Sequence, residues 1–100
     1  LDLMRRGGDG VISVAANAFP QRFIECINLA KRGAFDEADR AFERLRVAVD
    51  ALFAEGNPVG VKCALASMGL IGPTMRLPLV EGSEALRSRL EKLIAEYDLR

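Results

Sequence analysis

The chain has no histidine and no tryptophan, a single tyrosine, Tyr97, and only two cysteines, Cys26 and Cys63. Without histidine, the usual general base at neutral pH and the usual metal ligand are both missing, so the sequence points to no metal and no cofactor. Two cysteines without CxxC spacing exclude a disulfide scaffold. Each falls among apolar neighbours in a helical pattern and reads as a buried, reduced thiol of a cytoplasmic protein. No apolar run approaches the ~20 residues a membrane helix needs. Fourteen basic and fourteen acidic residues cancel and are interspersed, so no basic field marks a nucleic-acid partner. Internal repeats and low-complexity segments are absent as well. What is left is one domain at most, half apolar over 100 residues, too apolar for a disordered tail.

The stretch that stands apart is Gly7-Gly8-Asp9-Gly10-Val11-Ile12-Ser13-Val14-Ala15-Ala16-Asn17. Three glycines in four positions make a turn, and the β-branched run that follows predicts a strand over Val11–Val14, covered on both faces as in a parallel sheet. Nothing later repeats that pattern. The remainder is helical in period. Leu1 and Met4 share a face of a helix that ends at Gly7 or Gly8. Phe19-Pro20 opens a helix with Phe23, Ile24, Ile27 and Ala30 inward, stopped at Gly33. A long helix from about Phe35 to Glu55 repeats Phe35, Ala38, Phe42, Leu45, Val49, Leu52 and Phe53 at three- and four-residue steps. Its apolar side is wide enough to touch two surfaces. Gly56-Asn57-Pro58 predicts a stop, an Asn57 N-cap and a Pro58 start for a helix to Met68. Gly72-Pro73 and Pro78 keep Leu70–Val80 extended. Gly82 or Ser83 caps a last helix to about Tyr97, with Leu86, Leu90, Leu93 and Ile94 inward.

None of the candidate chemical groups exceeds an ordinary structural role. A phosphate cradle follows a strand and opens a helix, whereas Gly7–Gly10 follow a helix and precede the strand. Lys62 could suggest a Schiff base, but a lysine lying along apolar surface explains it. Ser13 has neither a histidine nor a nucleophile elbow. Asp36/Glu37 and Asp39/Glu43 serve the helix dipole and surface ion pairs, and Tyr97 ends a core stripe.

The residues Gly8–Asn17, Gly56-Asn57-Pro58-Val59-Gly60-Val61-Lys62 and Leu77-Pro78-Leu79 resemble the dihydrodipicolinate synthase/N-acetylneuraminate lyase family. Gly60 departs from that family's frequent proline. The resemblance covers essentially the whole chain and is closer to the synthase branch. It implies a mostly α chain, the C-terminal fragment of a (β/α)₈ TIM barrel with its appended helical region. Residues 1–33 would hold the end of the seventh helix, the eighth strand and the eighth helix, and residues 34–100 the C-terminal helical region. Family members form a lysine Schiff base with pyruvate, and the synthase branch joins pyruvate to aspartate semialdehyde in lysine and diaminopimelate biosynthesis. The family's catalytic lysine, tyrosine and threonines lie on earlier strands, so the resemblance implies no catalytic residue here and an inactive fragment. Ser13 and Asn17, at the C-terminal end of the strand, would neighbour the substrate pocket. A barrel remnant of this kind is expected to cover its bared surface in a homo-oligomer, or to leave its N-terminal stretch disordered or refolded. Two rival readings are another aldolase branch acting on a different acceptor and a non-catalytic helical interaction module.

Overall fold

The computed structural model of the chain describes every residue from Leu1 to Arg100 and contains six α-helices and no strand. They are α1 (Asp2–Arg5), α2 (Val14–Ala18), α3 (Pro20–Lys31), α4 (Phe35–Phe53), α5 (Val59–Ser67) and α6 (Glu84–Glu96).

The strand expected over Val11–Val14 is not formed. Asp9–Ser13 has no regular structure, Ser13 is extended at φ −137° and ψ 133°, and Val14 opens α2 instead. The cause is pairing: no backbone group from Asp9 to Ser13 finds a backbone partner. A strand without a neighbour has nowhere to place its hydrogen bonds except in water. From Val14 onward the run of alanines closes its own bonds by turning helical.

α4 is the hub. Its buried face, Ala38, Leu45, Ala48, Ala51 and Leu52, meets α3 across the short turn at residues 32–34 and α5 and α6 on its other flank. A single apolar cluster runs from Ala15 and Phe19 through Leu45 and Leu52 to Leu90 and Leu99. On α3 the inward residues are Cys26 and Ala30, while Ile24 faces solvent. Ile24 lies two residues from Cys26, which on a helix is too far round to share its face.

Turn chemistry closes the helices. Gly33 (φ +77°) and Gly69 (φ +74°) take the left-handed residue after α3 and α5, and the next residues, Ala34 and Leu70, donate back to Leu29 and Leu65. α6 ends alike without glycine: Asp98 has φ +50°, and Leu99 donates to the Ile94 carbonyl while its side chain enters the core. At the start of α5, Pro58 rather than Asn57 holds the N-cap position, and Asn57 makes no capping bond. The backbone carbonyls of Gly56 and Pro58 take the N–H groups of Gly60 and Lys62 instead.

α4 and α5 meet backbone to backbone. A Cβ on Gly60 would lie 1.8 Å from the Leu52 carbonyl oxygen and 2.5 Å from its carbon. A helical carbonyl cannot move aside as a side-chain tip can. Gly60→Ala is therefore expected to lower stability by about 3 kcal/mol, read as a drop in Tm of the helical circular-dichroism signal. An unchanged Tm would show that the helices are not this close.

α6 is fastened at its start by two residues. The Ser83 hydroxyl oxygen accepts from the Leu86 N–H at 3.1 Å, and Glu55 takes both the Ser83 N–H, at 2.9 Å, and the Ser83 hydroxyl. These bonds hold the Glu55 carboxyl below its ordinary value. The folded state thus binds this proton less readily than the unfolded state, and stability falls as pH drops. The contribution is present above the ordinary glutamate value and is lost below it, towards the lowered folded value. Glu55→Gln should flatten the acid limb of a plot of Tm against pH in that window and leave neutral pH less affected than Ser83→Ala does. An acid limb identical to the parent's would contradict this.

Candidate functional site

The two residues marked by the sequence, at the N-cap and within α2, do not share a cavity wall. Ser13 lines an open apolar cleft of about 330 Å³, whereas Asn17 is exposed on α2 and is not part of its wall. The cleft lies between α1, α3, α4 and the Gly10–Ser13 segment, with Met4, Val11, Phe23, Cys26, Phe42 and Val49 among its lining. On α4, Phe42 and Val49 pack against the core and also border this cleft, and Phe53 is half exposed.

The Ser13 hydroxyl makes no hydrogen bond within the chain, and the one charged lining residue, Asp2, is exposed and paired with Arg5 at 3.6 Å. Arg5 in turn binds Asp39 and lies 5.2 Å over the Phe35 ring, which fastens α1 to α4. Such a cleft offers apolar contact but no acid–base pair and no nucleophile with a base.

A second cleft, of about 310 Å³, is polar and was invisible in the sequence because its parts lie 76 residues apart. Arg22 donates to the Asp98 carbonyl at 2.8 Å, to the Asp98 carboxylate at 2.9 Å and to Glu25 at 3.3 Å. Its guanidinium is thereby committed to holding the tail after α6, not open to an anion. Lys62 donates to the Thr74 carbonyl and so ties the extended 70–80 segment to α5. No grouping of three or more His, Cys, Asp or Glu side chains could hold a metal ion, and no helix is long and apolar enough to cross a membrane.

Both cysteines are free and buried. Burial pushes each thiol above its ordinary value, because the thiolate is the form that loses water. At pH 7.5 iodoacetamide should label Cys26 and Cys63 at least about tenfold more slowly than in the denatured chain. Equal rates, followed by mass spectrometry, would place either thiol at the surface.

The profile of the Dihydrodipicolinate synthetase family matches residues 1–97. The 4-hydroxy-tetrahydrodipicolinate synthase of Methanocaldococcus jannaschii is 40% identical over 99 residues, which is 99% of this chain and 34% of that protein. The synthase of Alkalilimnicola ehrlichii is 50% identical over 78 residues, 78% of this chain and 27% of the relative. Among solved structures, dihydrodipicolinate synthase from Thermotoga maritima superimposes with a TM-score of 0.93 at 38% identity, over 99% of this chain and 34% of that one. A structure described as the first monomeric dihydrodipicolinate synthase variant gives 0.94 at 38%, over 99% and 33%. The chain thus spans about a third of the length of the relatives it matches.

Proposed function

The chain belongs to the Dihydrodipicolinate synthetase family, and from that premise we propose that it serves as the C-terminal part of a cytoplasmic Schiff-base lyase of the synthase branch. The reaction is the condensation of pyruvate with aspartate semialdehyde in lysine and diaminopimelate biosynthesis. The carrying observation is the family match over residues 1–97 together with TM-scores of 0.93 and 0.94 over 99% of the chain, against synthases about three times as long. The synthase names of the curated relatives support this branch over an aldolase with another acceptor.

In this reading the chain supplies scaffold, and the reacting groups come from the rest of the enzyme. A lysine that forms a Schiff base must present a free amine beside groups that position the keto acid. Lys62 instead spends its ammonium on Thr74, and Lys31 and Lys92 are exposed on helices. Incubating the chain with pyruvate and borohydride should give no mass gain at Lys31, Lys62 or Lys92, and adding aspartate semialdehyde should give no condensation. Reductive trapping at Lys62, or clear turnover, would overturn the scaffold reading.

A further inference from the structure

The loop between α5 and α6 is fastened at both ends and almost nowhere between. At its start Gly69 turns the chain at φ +74° and Leu70 donates to the Leu65 carbonyl. At its end Gly82 lies against Cys63: a Cβ there would stand 3.2 Å from the sulfur and 3.3 Å from the Leu86 side chain. The next residue is Ser83, which Glu55 grips. From residue 71 to residue 80 the one backbone bond is internal, from the Leu79 N–H to the Arg76 carbonyl. A single side chain crosses to this segment, the Lys62 ammonium donating to the Thr74 carbonyl. Leu77 is 87% exposed and Val80 69%, and no residue from 70 to 82 belongs to the shared core. Between the segment and the helices lies a cavity of about 140 Å³, lined by Cys63 and Ala66 of α5, Arg87 of α6, and Ile71, Pro73 and Met75 of the loop.

We propose that residues 71–80 form a hinged flap, latched by Lys62, that opens the cavity between α5 and α6 and admits small solutes to Cys63 while the helices stay folded. Local opening is cheapest where few backbone bonds and few buried side chains are lost, and this segment loses one of the first and nothing of the core. The hinges sit at the glycines, where the chain is fixed again by the end of α5 and by the cap of α6. Lys62 acts here as a positioning residue: its ammonium sets how often the flap is open.

The test compares iodoacetamide labelling of Cys63 and Cys26 in the parent, Lys62→Met and Lys62→Arg, each rate taken relative to the same chain in denaturant. Methionine keeps an unbranched apolar stem but cannot donate, whereas arginine can. Because the rate follows the open population, losing the latch should speed Cys63 labelling about three- to tenfold in Lys62→Met. Cys26, buried on α3 away from the flap, should label as in the parent, and Lys62→Arg should match the parent at both thiols. Trypsin gives a readout that does not use the thiol: cleavage after Arg76, in the middle of the flap, should quicken in Lys62→Met while the Tm of the helical signal holds. An unchanged Cys63 rate, an equal acceleration at Cys26, or a Lys62→Arg chain as fast as Lys62→Met would each overturn the proposal. So would faster labelling of Cys63 without faster cleavage after Arg76.

Discussion

A β-strand carries its hydrogen-bonding groups in the plane of a sheet, so it can satisfy them only with a second strand, whereas a helix satisfies its own. That difference divides this molecule at Ser13. After it, the helices close their own hydrogen bonds and bury a common core around α4. Before it, the Gly10–Ser13 backbone has no partner and its apolar side chains meet water. With a radius of gyration of 14.2 Å, against about 13 Å for a compact chain of this size, the molecule is somewhat drawn out, along an axis of 42 Å.

Within the helical part, closeness is obtained with small residues. Ala48, Ala51 and Ala64 are fully buried, and Gly60 lets the backbones of α4 and α5 touch at Leu52. Small residues bury little area each, so the apolar gain per residue is modest and depends on close fit. Larger anchors, Phe19, Leu45, Leu52, Leu90 and Leu99, lock the assembly from both ends of the sequence. Exposed ion pairs such as Arg46–Glu43 and Arg87–Glu91 add little by comparison.

The helices were legible because period and turn chemistry agree locally. Gly33, Gly69 and Ser83 each act where the sequence places a stop or a cap, and the buried stripe of α6 is the one its period marks. Errors arose where the outcome depends on distant partners. Val11–Val14 has strand chemistry but no strand beside it, and Asn57 has cap chemistry at a start closed by backbone carbonyls. The Arg22–Asp98 latch and the Glu55–Ser83 clamp join residues 76 and 28 positions apart, with no local trace of either. Of the two residues marked for the site, Ser13 borders a cavity, while Asn17 is exposed on α2, a helix that the strand reading did not contain.

The same distinction bears on how membership of the family is visible in the sequence. The segments that carry the resemblance, Gly8–Asn17, Gly56–Lys62 and Leu77–Leu79, are rich in residues that set backbone direction: glycines, prolines and small side chains. Gly60, where the family frequently has proline, adds a constraint particular to this chain, since a single added carbon would strike the Leu52 carbonyl. Positions of this kind preserve geometry whatever reaction the fold supports. Such residues, ahead of α2 and at the start of α5, set where those helices sit.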